Sequence, residues 1–329
     1  MPSTAVIAQP AIDDVVHARR FAVGSGAGQV AQVSVYESGT NALLTMFQPF
    51  GNTYTGGVTV ATGDLTGDGI DDVVVAALSG SSRVALFDGA TRKLAGEFEA
   101  FAGATTGAFL AIGDVTGDGR IDLIAGGTST VRIFRGQDLW KGSPKVAAEF
   151  QPFGASFTGG VRIAVGDLNG DGIADIVAAP GAGGPAAVHA YTTTMAWGDT
   201  QPSTYSAKLA TITVGGPNDR GGVFVATGDF NGDGKADIAV GRVVAGRATV
   251  SVFQGNQPAK RLYQAFGFTS TEPGGVPVAL RDLDGDGRAE LLVGGGQGVS
   301  QVRVLSPFGG LARSFSAFPP NYTGGVFVG

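Results

Sequence analysis

Short runs in which apolar and polar residues alternate recur along the chain, separated by Gly-rich punctuation. One set reads GGVTVAT from Gly56, GAFLAI from Gly107, GGVRIAV from Gly159, GGVFVAT from Gly221 and GGVPVAL from Gly274. Alternation with period two, rich in β-branched residues, predicts β-strands. A second set follows and aligns without a gap: GDLTGDGIDDVVVAA from Gly63, GDVTGDGRIDLIAGG from Gly113, GDLNGDGIADIVAAP from Gly166, GDFNGDGKADIAVGR from Gly228 and RDLDGDGRAELLVGG from Arg281. The first aspartates of this set are spaced by 50, 53, 62 and 53 residues. Two further apolar runs complete each period, as in SRVALFDG and KLAGEFEAF. Four short strands per repeat at this spacing predict a β-propeller.

The ends of the chain set the blade number. YTGGVFVG supplies a sixth copy of the first strand, Gly324 to Gly329. RFAVGSGAGQVAQVSVY from Arg20 aligns on DIVAAPGAGGPAAVHAY from Asp175, the second and third strands of a blade, and LLTMFQPF from Leu43 is a fourth. The expectation is an all-β, six-bladed propeller of four-stranded antiparallel blades, one split between the two termini so that the ring closes without open edges. Residues 1–18 are expected to form a loosely ordered arm, and 19–329 a single propeller close to a complete domain. The 62-residue spacing is accounted for by a long hairpin, TTTMAWGDTQPSTYS from Thr192.

Composition agrees. The 56 glycines among 329 residues are about 17%, against ~7% in average proteins, and no G-X-Y period makes them collagen-like. With 43% hydrophobic residues the chain is not disordered by composition. No apolar run reaches the ~18 residues of a membrane-spanning helix. A net charge of −6 gives no basic footprint for nucleic acid. The absence of cysteine excludes disulfides, thiolate metal sites and cysteine nucleophiles. The N-terminal segment shows no basic region followed by an apolar one, so no secretory signal is expected in the chain as given.

The loop after each first strand carries the chemistry. Numbered from its first aspartate, it reads D-x-[TND]-G-D-G-x-x-[DE]. Loop I has Asp64, Thr66, Asp68, Ile70 and Asp72 at positions 1, 3, 5, 7 and 9. Loop II has Asp114, Thr116, Asp118, Arg120 and Asp122; loop III has Asp167, Asn169, Asp171, Ile173 and Asp175. Loop IV has Asp229, Asn231, Asp233, Lys235 and Asp237; loop V has Asp282, Asp284, Asp286, Arg288 and Glu290. Oxygen donors at 1, 3, 5 and 9, with Gly at 6 for a sharp turn, suit a hard cation. Position 7 would contribute only its backbone carbonyl, which fits its variation from Ile to Arg. An EF-hand would need Glu at position 12 and flanking helices; here position 12 is Val75, Ala125, Ala178, Val240 or Val293, between strands. Calcium fits better than magnesium, which keeps its waters. About five Ca²⁺ are expected, one per loop, with loop V the tightest by charge. The ligand positions of these loops hold 16 of the 28 acidic residues, and five divalent ions would turn the formal −6 into +4.

With this motif the chain, over roughly residues 19 to 329, resembles the FG-GAP/VCBS-type repeat proteins, whose calcium-loop blades also occur in integrin α-subunit propellers. The resemblance implies Ca²⁺ held between strands one and two of each blade. It also implies a secreted or cell-surface protein that binds partners, glycans or matrix. Six blades instead of the integrin seven, and a loop in every blade with a complete first hairpin, depart from that pattern.

Other sites are thin. His17 lies in the arm, and His189 reads as a strand residue in VHAY. GAGGPA from Gly181 has no helix after it and reads as a hairpin turn rather than a phosphate cradle. Trp140 and Trp197 fall in adjacent outer hairpins on the calcium-loop face, where they would either stack on a ligand or fold back on their own blades. Phe47, Phe50, Phe98, Phe101, Phe150, Phe153, Phe266, Phe315 and Phe318 recur with the blades and are expected to pack between neighbouring sheets. The functional expectation is a non-catalytic, calcium-binding, extracellular module. It would be monomeric, with a protein or glycan ligand, no nucleic acid and no membrane insertion. A calcium-dependent lectin and a propeller-fold polysaccharide-degrading enzyme are the alternatives.

Overall fold

The computed structural model describes residues 19–192, 208–266, 276–296, 299–307, 310–319, 321–322 and 324–329. Six antiparallel four-stranded sheets form the blades. Blade I runs Val58–Gly63, Asp72–Ala77, Arg83–Asp88 and Lys93–Glu99 from axis to rim. Its second strand, DVVVAA, is buried throughout. Sheets pack against both of its faces, so the polar half of the alternation disappears there. The rim strand KLAGEFE is largely exposed. Helix among the described residues is limited to one turn, Gly136–Leu139, and no helix among them is long and apolar enough to cross a membrane.

Blade VI is the split one, ordered Val326–Val328, Arg20–Ser25, Val33–Glu37, Leu43–Phe47. Val23 faces Val328 and Ser25 faces Val326 in antiparallel register. Beyond the strand, Ala22 N–H donates to Gly329 O at 3.0 Å and Gly329 N–H returns to Ala22 O at 3.1 Å. Tyr322 Oη lies 2.9 Å from Gly26 O and 3.0 Å from Gly325 O, clamping both termini into one sheet.

The repeated phenylalanines pack mostly as expected. Phe47, Phe98, Phe150 and Phe315 stand opposite Val33, Val84, Val131 and Val302 in their own blades. Their rings meet Phe87, Phe134, Tyr191 and Tyr36 of the next blade. Arg83 and Arg132 lie over Phe50 and Phe101. Phe266 is the exception, at 65% exposure. In blade IV it is Ala265 that faces the core Val250, and a one-residue offset on a strand turns a side chain to the other face.

The inner strands of blades I to VI are Val58–Gly63, Phe109–Gly113, Val161–Gly166, Phe224–Gly228, Val278–Arg281 and Val326–Val328. Phe109, Phe224 and Phe327, from alternate blades, form a near-equilateral triangle with centroids 6.1, 5.9 and 6.5 Å apart. Arg162 of blade III lies 3.7 Å from the Phe224 centroid and 5.5 Å from that of Phe109. It also donates to Val223 O at 3.1 Å. Further along the axis the six strands enclose a cavity of about 250 Å³.

Candidate metal centre

Each loop is wound by its own aspartates. In loop I, Asp64 Oδ1 accepts from Gly67 N (2.6 Å) and Asp68 N (3.0 Å), and Oδ2 from Gly69 N (2.8 Å). Asp68 Oδ1 accepts from Ile70 N. The position-1 aspartates of loops II, III and IV make the same three bonds, and Asp282 makes two of them. Positions 4 and 6 both need positive φ, 79° at Gly67 and 84° at Gly69, a region costly for other residues. The second of these was read from the sequence. The first was not, although Gly stands there in all five copies.

Position 9 does more than close a ligand set. Asp72 is buried, its Oδ2 accepting from Leu65 N and Thr66 N and its Oδ1 from Gly89 N in the blade's outer hairpin. Asp122 repeats this with Val115, Thr116 and Gly136, and Asp237 with Phe230, Asn231 and Gly255. These carboxylates join the loop to the outer hairpin. Burial pushes the carboxyls of Asp122, Asp175 and Asp237 up to about 6 against the donating N–H groups. It also raises those of Asp72 and Glu290.

The structure brings some of the expected ligands together more closely than others. In loop V, carboxylate oxygens of Asp282, Asp284 and Glu290 lie within 4.8 Å of one another, the one such trio among the described residues. Two ligands on opposite sides of a calcium ion at 2.3–2.6 Å each would be about that far apart. In loops II and III two expected ligand atoms, Thr116 Oγ1 and Asp175 Oδ1, are buried without a hydrogen bond. Thr116 Oγ1 lies beside Asp122 and the Thr192 hydroxyl beside Asp175, each out of bonding geometry. A buried oxygen without a donor is costly, and a cation would satisfy both. The residues fit a hard cation. Arg19, just ahead of blade VI, donates to Asp282 Oδ2 at 2.9 Å, a contact the pattern did not foretell.

The loops also touch one another. The position-8 N–H of Ala174, Ala236 and Ala289 donates to the position-1 carbonyl of the preceding blade's loop, at Asp114 (2.9 Å), Asp167 (2.8 Å) and Asp229 (2.7 Å). Lys235 Nζ donates to Asn169 O at 2.7 Å. Variation at position 7, read as indifference, includes in Lys235 a side chain that bridges two loops.

Of the other candidates, His189 lies in the strand Ala187–Tyr191, with Nδ1 3.1 Å from Pro152 O and its ring against Phe153. Trp140 packs against the core between blades I and II with its Nε1 buried and unpaired, so it folds back. Trp197, His17 and the arm of residues 1–18 lie outside the described residues. GAGGPA joins Asp175–Pro180 to Ala187–Tyr191 as a hairpin.

Blades of this kind, each complete one with an acidic loop after its inner strand, define a repeat β-propeller. A model of the FG-GAP-like repeat matches residues 64–125 and 114–178, and one of the FG-GAP repeat matches residues 221–251. The first matches start on the position-1 aspartates Asp64 and Asp114. The chain is a six-bladed propeller that carries FG-GAP repeats over these residues. No curated protein matches it. Among solved structures it is similar to the crystal structure of a protein of unknown function from Bacteroides caccae. Identity is 12%, covering 75% of this chain and 73% of that one, with a TM-score of 0.46.

Proposed function

We propose that this propeller is a non-catalytic, calcium-binding module that works outside the cell, secreted or on its surface, and presents a folded platform to a protein or glycan partner. The observation that carries the metal reading is the convergence of Asp282, Asp284 and Glu290 within 4.8 Å, supported by the unpaired Thr116 Oγ1 and Asp175 Oδ1. In each loop the side chains at positions 1, 3, 5 and 9 and the position-7 carbonyl would hold the ion. Bound calcium would convert like-charge repulsion into coordination. The protein's own part is to hold the backbone wound, through the position-1 and position-9 carboxylates, so that little ordering remains to be done on binding.

Nothing in the described residues points positively to catalysis: His189 is engaged with Pro152 and Phe153. The lectin version draws no support from Trp140, which is packed into its blades. Titration calorimetry with CaCl₂ and MgCl₂, paired with melting curves in chelator, tests the reading. The expectation is about five calcium ions bound, magnesium much weaker, and a lower Tm in chelator. No heat of calcium binding together with an unmoved melting curve would reduce the loops to turns.

A further inference from the structure

Four of the five loops are entered through a glycine: Gly63, Gly113, Gly166 and Gly228. A Cβ there would stand 2.6 Å from Ile112 Cδ1, 2.5 Å from Val165 Cγ1, 2.8 Å from Ala236 Cβ and 2.7 Å from Leu280 Cβ respectively. The next blade leaves no room. In the fifth repeat the same position is Arg281, and the neighbouring blade is the split one, whose inner strand is only Val326–Val328. Arg281 reaches past that strand to blade I, where its Nη2 donates to Thr62 O at 2.6 Å and Thr62 Oγ1 at 2.8 Å.

A strut would need no more than this. The guanidinium, however, has five N–H donors, and the bonds to Thr62 use only one nitrogen. Nε and Nη1 make no hydrogen bond, and neither is sealed from solvent. No carboxylate lies within salt-bridge distance of Arg281 among the described residues. It is a half-buried cation without a carboxylate partner among the described residues.

Arg281 lines the axial cavity of about 250 Å³. The same repeat position of all six inner strands supplies the wall: Val60, Leu110, Ile163, Val225, Val278 and Val328. The Thr227 hydroxyl is spent on Val165 O at 2.6 Å and that of Thr62 on backbone carbonyls. The walls therefore offer the edges of these aliphatic side chains together with backbone polar groups, and one cation, with few free hydroxyls to recognise a sugar.

We infer that the axial cavity binds a short aliphatic monocarboxylate, its carboxylate on the free edge of the Arg281 guanidinium and its chain within the ring of aliphatic side chains. The planar fork matches a carboxylate in a way that a point charge does not. The inference does not rest on the calcium reading, and its readout is separate from calcium stoichiometry.

The test is titration of the full chain, in calcium, with sodium hexanoate, 1-hexanol and inorganic phosphate. Arg Nε–H NMR is followed alongside. Expected are saturable hexanoate binding below ~10 mM, within reach of weak-ligand calorimetry, a shifted Arg281 Nε signal, and at least tenfold weaker hexanol and phosphate. Arg281→Gly, the residue of the other four repeats, should lose tenfold or more, and Arg281→Lys should recover part of that. Should Arg281→Gly fail to fold, the Arg281→Lys affinity and the wild-type Nε shift still decide. Absence of saturable hexanoate binding, an Arg281 signal that does not move, phosphate binding as tightly as hexanoate, or an unchanged affinity in the variants would each overturn the assignment.

Discussion

The backbone N–H of Ala236 donates to the carbonyl of Asp167, 2.8 Å away, so the eighth residue of loop IV is fastened to the first residue of loop III. Ala289 repeats the contact on Asp229 and Ala174 on Asp114, giving an unbroken relay from loop II to loop V. Rearranging one loop on binding an ion therefore disturbs an anchor of the next. Asp171→Ala should remove one calcium from the stoichiometry. It should also speed amide exchange at Ala236 in loop IV, the N–H that is bonded to Asp167 O. Exchange confined to loop III would show the relay to be passive. Energetic coupling of this kind needs such a demonstration beyond proximity.

Calcium should stabilise the ring by mass action. At a concentration 100 times Kd one site adds about 2.7 kcal/mol, and five sites working at half that would rival the ~5–15 kcal/mol of a whole domain. Chelator should therefore lower Tm by many degrees. Thr66→Ala, which removes a neutral ligand, should shift it little. Asp284→Ala, in the loop whose carboxylates converge, should abolish the tightest site seen in calorimetry.

The repeat made the architecture legible. A fixed spacing of aspartates gave the blades, and the copies at both termini gave the split sheet, because strand pattern and turn chemistry act locally. What escaped depended on neighbours. Phe266 looked like a member of the aromatic series, but a single-residue offset puts Ala265 in its place. The position-9 aspartates read only as ligands, since their bonds to Gly89, Gly136 and Gly255 come from hairpins far along the chain. Arg281 carried no reading of its own among the aligned copies, since only the position of the split blade shows where its side chain can go.

Closure should hinge on Tyr322. Its hydroxyl serves two carbonyls, Gly26 and Gly325, from the two ends of the chain. Tyr322→Phe keeps the ring against Phe318, 4.9 Å between centroids, and strips only the donor. Gly325 O keeps the Gly26 N–H at 2.9 Å, so Gly26 O is the acceptor that loses its donor, at a cost of about 1–3 kcal/mol. Deleting residues 322–329 should go further, baring the edge of Arg20–Ser25 and promoting aggregation. A truncated chain as stable and monomeric as the full one would contradict the split-blade arrangement.

The axis should be sensitive to its aromatic triangle. Phe224 is buried and touches Phe109, Phe327 and Arg162. Phe224→Ala should cost about 3–5 kcal/mol in a denaturant titration, the usual range for a buried Phe. Phe224→Leu should recover the packing volume but not the ring face under the guanidinium, and so only part of the loss. Equal stability of the Leu variant and the parent would mean that the cation over the ring contributes nothing measurable.

His189 gives the fold a testable acid dependence. Burial holds its pKa below the ordinary 6.5, with Lys208 adding to the effect and the Pro152 carbonyl opposing it. The folded chain therefore binds fewer protons at this site than the unfolded chain as pH falls through 6.5. Stability from this residue is present above the unfolded value and is lost on acidification, since stability rises with pH wherever the unfolded state holds more protons. His189→Gln can still place an N–H near Pro152 O and does not titrate. Unfolding curves of the two proteins, run in chelator so that the loops bind no metal, should converge as pH drops from about 7 to about 5, the parent losing stability faster. A constant difference across that window would show that the neutral imidazole is not what the sheet selects.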